Sequence, residues 1–313
     1  LTQLFTKRSA DELLMAPAGW YREKEIALHT GDPVVAIDRE KRVVRSASGM
    51  ERSYDKLVLA TGSRAFVPPV PGADLPGVFV YRTTEDLIGI QQHAPFCRRA
   101  AVLGGGLLGL EAAHAIKELG PKVWIVERGS SLLARQLEKD GSSLLTEHVK
   151  SLGLEICTNY ELERIEAQGP DHLLFFKSGD FLRVQMVVMA VGIRPRTELA
   201  EQAGLAIHTK GGVVVDDFLQ TNDPRIFAVG ECASHQGICY GLAGPGYQMA
   251  SVLAANLAGG RRRKFKAGDQ STWLKLAGIS VATLGNYQGG ATHLVSRGDG
   301  AYRRIALDDR NRR

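Results

Sequence analysis

The chain has 313 residues, 44% hydrophobic and 23% charged, which are ordinary globular statistics for about two domains around a sizeable core. The 39 Lys and Arg exceed the 34 Asp and Glu by five, partly through Arg261-Arg-Arg-Lys264 and Arg310-Asn-Arg-Arg313. No aromatic platform or recognition motif accompanies those runs, so they read as solvated loop and tail, and no nucleic-acid partner is expected. No apolar segment reaches the roughly 20 residues that span a bilayer, and the start lacks a signal-type basic and apolar pair. The expectation is therefore no membrane and a cytoplasmic location. Cys97, Cys157, Cys232 and Cys239 form no Cys-x-x-Cys pair and read as free thiols.

In chain order, residues 10 to 24 look like the end of a short helix. Ile26 to His29, Pro33 to Asp38 and Arg42 to Ser46 look like strands, with a turn at Gly49. A strand from Lys56 to Ala60 delivers Thr61-Gly62-Ser63. The proline-rich Val67-Pro-Pro-Val-Pro-Gly72 that follows continues neither a helix nor an interior strand and reads as a connection between lobes.

The most specific signal comes next. An apolar strand, Ala100 to Leu103, feeds Gly104, Gly106 and Gly109 in Gly-x-Gly-x-x-Gly spacing, and a helix from Leu110 to Leu119 stops at Gly120. Gly104 permits the tight bend, Gly106 lets backbone amides near Leu107 and Leu108 approach a pyrophosphate, and Gly109 lets helix and strand pack closely. A second strand then ends at Glu127, 23 positions after Gly104, where a carboxylate can accept both hydroxyls of an adenosine ribose. This carboxylate repels a 2′-phosphate and so favours NADH over NADPH, although the adjacent Arg128 offers such a phosphate a partner. Glu111, just inside the helix, reads either as a group near the nicotinamide or as a first-turn acid stabilised by the helix dipole.

Leu137, Leu145, Val149 and Leu152 recur at helical spacing before a stop at Gly153. Short strands are expected over 155 to 158, 162 to 167 and 173 to 177, followed by the long apolar run Val184 to Val191 that delivers Gly192. Residues 98 to 196 thus form one complete nucleotide-binding domain. In the second half, Ile226 to Val229 reads as a strand carrying Gly230 and Glu231 to its carboxyl end, where open α/β sheets bind ligands. Gly244-Pro-Gly246 begins a helix, Tyr247 to Leu257, whose amides suit a polarised carbonyl or an anion. Taken alone, Glu231 is equally a cap or a surface acid; Ala60-Thr61-Gly62 supplies a counterpart. The histidines show no metal-ligand spacing, no Gly-x-Ser-x-Gly elbow is present, and Arg194 reads as a strand-end surface residue.

Together, Tyr54 to Ser63, Gly104 to Glu127 and Thr221 to Glu231 resemble three motifs of the FAD- and NAD(P)H-dependent oxidoreductases of the pyridine nucleotide-disulfide reductase type. Trp20-Tyr21, Val80-Tyr-Arg-Thr83, Val229-Gly-Glu-Cys232 and Tyr240 to Met249 are similar, within that type, to the flavin portion of assimilatory NAD(P)H nitrite reductase large subunits. The resemblance implies an α/β, glutathione-reductase-like three-layer fold with two dinucleotide-binding domains. It divides the chain into a partial FAD domain (1–97), an NAD(P)H domain (98–196), a second FAD segment (197–266) and the start of a β-rich domain (267–313). It further implies FAD and NADH as cofactors, with Ala60, Thr61, Gly62, Gly230, Glu231 and Tyr247 on the flavin side. Hydride would pass from NADH to FAD and electrons onward to a small-molecule or protein acceptor, including nitrite through further iron-sulfur and sirohaem centres.

Two departures stand out. The family's second flavin motif normally ends Gly-Asp, and this sequence has Glu231, which keeps the carboxylate on a side chain one methylene longer. The family's opening Gly-x-Gly-x-x-Gly, which holds the ADP part of FAD, has no counterpart after Leu1, so an incomplete flavin domain in a fragment is expected. That leaves two other readings open: a non-catalytic NADH-binding module, and a rubredoxin- or ferredoxin-reductase-type enzyme. The acceptor and the oligomeric state are not written in the sequence.

Overall fold

The computed structural model describes residues 14–260, 262–268, 271–285 and 292–307. They fall into two compact units. One contains Ala65–Gly192 with the described residues beyond 270, and the other contains the described residues up to Arg64 with those from Ile193 to Gly268.

The first unit is built on a five-stranded, wholly parallel sheet in the order Val78–Val80, Met186–Met189, Arg99–Leu103, Lys122–Glu127, Glu155–Thr158. Its central strands are apolar on both faces, as burial between two layers requires. Successive side chains of Arg99–Leu103 divide between those layers. Ala100 and Val102 join the helix-side core with Leu110, Ile116, Leu145 and Val149 from the helices Leu107–Glu118 and Lys139–Ser151. Ala101 and Leu103 join Ile165, Leu174 and Phe176 from an antiparallel sheet, Leu162–Gln168, Asp171–Phe176 and Phe181–Val184. The period-2 alternation of one strand thus holds together the three layers expected from the resemblance.

The hairpin Thr272–Leu276 and Ile279–Thr283 belongs to this same unit, since Leu274 and Leu276 are buried in its helix-side core. Thr283 Oγ1 donates to the carbonyl of Gln136 at 2.9 Å. A second hairpin, Thr292–Gly298 and Ala301–Leu307, reaches the start of Lys139–Ser151. There Glu138 caps the helix by accepting from the amides of Asp140 and Gly141 and from Tyr302, while Arg297 pairs with Asp140.

In the second unit, Leu57–Leu59 runs parallel to Ile226–Ala228, and Val213–Val215 runs parallel to Ala233–His235. Val34–Asp38, Val43–Ser46 and Glu51–Ser53 make an antiparallel sheet. The helix Ala243–Leu257 buries Met249 and Leu253 in a core with Leu59, Ile226, Ala228 and Phe265. Arg39 binds Asp223 at 2.8 Å and reaches the carbonyls of Ala203 and Gly204. Asp217 accepts from Lys264, His235 and Gln236, donors that hold its carboxyl down at about 2.

Several sequence expectations change. Residues 65–97 and the described residues beyond 270 pack with the 98–192 part of the chain in one compact unit. The reason is long-range pairing: Val78–Val80 is the edge strand beside Met186–Met189. Ile26 to His29 forms no strand, and the early helix covers Ala18–Glu23, with residues 10 to 13 outside the described residues. The glycine-turn helix starts at Leu107 and the second-unit helix at Ala243, each earlier than the apolar pattern suggested. First-turn positions tolerate Gly and Pro because their N–H groups have no intrahelical partner.

Burial foremost, then the hydrogen bond to Glu138, pushes the Tyr302 phenol up to about 12 from 10.0. A raised acid constant in the folded state adds stability that is complete below the unfolded value and lost as pH climbs through the folded one. Denaturant unfolding followed across pH 9 to 12 should show a steeper loss for the native sequence than for Tyr302→Phe.

Candidate functional site

Three features of the first unit meet at the carboxyl ends of neighbouring parallel strands: Gly104 after Arg99–Leu103, Glu127 ending Lys122–Glu127, and Gly192 just beyond Met186–Met189. Gly104 turns the chain at φ +109° while its amide donates to the Val126 carbonyl at 2.8 Å, which continues the ladder into the turn. A side chain here would place its Cβ 2.5 Å from the Ala190 carbonyl. At Gly109 a Cβ would lie 1.9 Å from the Gly104 carbonyl, so strand end and helix meet backbone to backbone.

Gly106 differs from both. It is the N-cap of Leu107–Glu118, provides no side-chain cap, and a Cβ on it would meet nothing within 4 Å. The space beside Gly106 is thus clear of protein atoms at the start of the helix, the positive end of its dipole, where an anion is stabilised. Leu107 packs inward against the core and Leu108 is exposed. Glu111 is half-buried one turn further in.

The Glu127 carboxylate is fixed in place. Oε2 accepts from the Gly105 amide at 2.7 Å and Oε1 from the Gly129 amide at 2.6 Å. The acid thus ties the turn after one strand to the turn after the next, and each oxygen keeps a lone pair for another donor. Gly105 and Gly129 were not singled out from sequence, because neither occupies a fingerprint glycine position. A Cβ on Gly105 would lie 2.6 Å from Leu132 Cδ2, so this position is sterically restricted as well. Arg128 is exposed, and its charge helps hold the Glu161 carboxyl down, after the larger effect of Lys177. Gly192, at φ +118°, accepts from the Phe66 amide at 2.9 Å.

A second constellation lies wholly within the other unit. Parallel pairing of Leu57–Leu59 with Ile226–Ala228 sets Ala60 to Ser63 beside Gly230 and Glu231. Ser63, 6% exposed, donates from Oγ to Glu231 Oε2 at 2.8 Å. Thr61 Oγ1 donates to the Arg196 carbonyl at 2.8 Å, and Gly62, at φ +66°, accepts from the Arg196 amide. Gly230, at φ +76°, is approached by the helix Ala243–Leu257: a Cβ on Gly246 would lie 3.4 Å from its Cα. That helix has no side-chain cap at its N-terminus. Tyr247 is exposed and its hydroxyl contacts Met15 Sδ at 3.4 Å. Sequence reasoning stopped at Gly62 and missed Ser63; its proximity to Glu231 depends on strand pairing across 168 positions.

All four cysteines are free thiols. Among the described residues no group of three or more His, Cys, Asp or Glu could hold a metal ion, and no helix is long and apolar enough to cross a membrane.

The NAD(P)H nitrite reductase large subunit of Klebsiella oxytoca is 45% identical over 289 residues, covering 92% of this chain and 30% of the relative. The NADH oxidase of Methanocaldococcus jannaschii is 32% identical, covering 92% of this chain and 65% of the relative. The chain thus spans about a third of the length of the nitrite reductase subunit it matches. Among solved structures, a ferredoxin reductase from Rhodopseudomonas palustris superposes with a TM-score of 0.88 at 28% identity, over 98% of this chain and 78% of that one. The family model described as pyridine nucleotide-disulphide oxidoreductase matches residues 5–256, and the chain belongs to that family.

Proposed function

We propose that this chain is the NADH- and FAD-binding part of an oxidoreductase that takes hydride from NADH and passes electrons to a further acceptor. The observation that carries the reading is the glycine turn: an uncapped helix start facing open space at Gly106, backed by a backbone contact at Gly109 that fixes its position.

These residues fit a dinucleotide. The first-turn amides at Leu107 and Leu108 would hold the pyrophosphate, and Glu127, already oriented by Gly105 and Gly129, would accept an adenosine ribose hydroxyl on its remaining lone pairs. Gly192, at the same sheet edge, would let the cofactor pass close to the backbone, and Glu111 would face its nicotinamide end. In the second unit, Glu231 would accept a ribityl hydroxyl of FAD, with Ser63 orienting its other oxygen. Ala60, Thr61 and Gly62 would line the same strand end, and Tyr247 would stand at the open start of its helix. Bound FAD supplies hydride acceptance and electron release; the chain binds, orients and shields, and requires no nucleophile of its own.

The preference for NADH follows from the fixed position of the Glu127 charge. The acceptor is a small molecule or a protein. The similarity to nitrite reductase subunits supports electron delivery toward nitrite through further domains, and the similarity to a ferredoxin reductase supports a protein carrier instead. Cytoplasmic location accords with this chemistry.

Reconstitution with FAD followed by anaerobic NADH titration tests the reading. Flavin absorbance that bleaches with NADH and returns with ferredoxin, rubredoxin, oxygen or a dye supports it and ranks the acceptors. A colourless protein that binds NADH leaves the non-catalytic module, and absence of NADH binding removes both readings.

Two glycine substitutions should separate folding from binding. Gly109→Ala forces a Cβ against a backbone carbonyl and should cost about 2–4 kcal/mol, seen as a lower melting temperature. Gly106→Ala meets nothing in the protein, so the melting temperature should hold while NADH affinity, measured by fluorescence titration, falls by on the order of tenfold.

NADH should bind on the order of tenfold more tightly than NADPH, or about 1.4 kcal/mol, in paired calorimetric titrations. Equal affinities would mean that Arg128, not Glu127, governs the 2′ position.

A further inference from the structure

A serine hydroxyl and two peptide groups stand in line at the glycine turn. Ser142, on the helix Lys139–Ser151 and only 1% exposed, donates from Oγ to the Leu132 carbonyl at 2.7 Å. The N–H at the other end of that same peptide, on Leu133, donates to the Gly105 carbonyl at 2.9 Å. The carbonyl and the N–H of a planar trans peptide point in opposite directions. With its oxygen held by Leu133, the Gly105–Gly106 peptide therefore turns the Gly106 N–H away from Leu133. Gly106 is the N-cap of Leu107–Glu118 and its carbonyl accepts the first helical bond, from Leu110 at 3.0 Å, so its own N–H is among the amides that the helix does not pair.

Every donor in this line faces the same way: hydroxyl to carbonyl, amide to carbonyl, and last an amide at the positive end of a helix. Hydrogen bonds aligned head to tail polarise one another, most where water is excluded. Leu132 and Leu133 are both buried, in the helix-side core.

The line also has to be held. The Gly105–Gly106 peptide is flanked by glycine on both sides and can turn over at little steric cost, because glycine takes either sign of φ. Leu133 stands at φ +48°, a left-handed backbone that leucine adopts only where its surroundings fix it. The amides of Gln136 and Leu137 both donate to its carbonyl, at 2.7 and 2.8 Å, and Ser142 grips the carbonyl that precedes it.

We propose that Ser142 is a positioning residue for the nicotinamide nucleotide: through the Leu132–Leu133 peptide it orients and polarises the Gly105–Gly106 peptide, so that the Gly106 N–H meets the pyrophosphate. The proposal rests on the reading of the glycine turn as the pyrophosphate site. Its effect is confined to the phosphates. Glu127, the partner of the ribose, is held by the Gly105 and Gly129 amides, which belong to other peptides.

The full chain is titrated with NADH by fluorescence, and with adenosine, which has the base and ribose but no phosphate, by amide NMR shifts. Ser142→Ala should weaken NADH binding on the order of fivefold, leave adenosine binding unchanged and speed hydrogen exchange at the Leu133 amide. Ser142→Cys, similar in size but a weaker donor, should fall between Ser142→Ala and the native chain. Thr146→Val removes a hydroxyl of the same helix that donates to the Ser142 carbonyl at 2.8 Å, outside the line, and should leave NADH affinity as it is. Undiminished NADH affinity in Ser142→Ala, equal losses for NADH and adenosine, or an equal loss in Thr146→Val would each overturn the proposal while the glycine turn remains the pyrophosphate site. If the native chain binds no NADH, that reading falls and the proposal with it. If Ser142→Ala does not fold, the same comparisons made with Ser142→Cys decide.

Discussion

The contact between the Gly104 carbonyl and the Cα of Gly109 governs the rest of the first unit. With 1.9 Å left for any Cβ, helix and strand are as close as two backbones come. That closeness fixes where the first-turn amides point, since the helix cannot tilt away without losing Leu110 and Ile116 from a core they share with Ala100 and Val102. The same strand supplies Ala101 and Leu103 to the opposite layer. A five-residue segment thus anchors both layers and delivers the turn, so the position of the glycines is set by the packing of the whole unit.

The second unit applies the same physics with different residues. Two parallel strands end together, left-handed glycines at 62 and 230 turn the chain away, and an uncapped helix begins close to Gly230. In both units the polar groups collect where parallel strands stop, because the ladder's last amides and carbonyls have no continuing strand to pair with. Each unit also holds a Glu at that edge through hydrogen-bond donors of its own, the Gly105 and Gly129 amides for Glu127 and the Ser63 hydroxyl among the partners of Glu231.

What could be read from the sequence follows the range of the interaction responsible. The glycine spacing, the apolar runs around it and the acid at 127 are local, and each carries its own physical reason. Ile26 to His29 has strand composition and found no partner, whereas Glu51–Ser53, wholly exposed, became a strand through pairing with Val43–Ser46. No element is expected at Val78–Val80 from the sequence, and only its register against Met186–Met189 assigns it to the nucleotide sheet. Gly105, Gly129 and Ser63 matter through what they touch, and those partners are 22, 2 and 168 positions away.

The substitution of Glu for the family's usual Asp at 231 is explained by the same kind of contact. A side chain one methylene longer reaches further and has one more torsion to immobilise. Ser63 removes that freedom. Its hydroxyl, buried at the end of the neighbouring strand, binds one carboxylate oxygen at 2.8 Å. The longer acid and the serine therefore act as one unit, in which the added reach is matched by a donor that sets its direction.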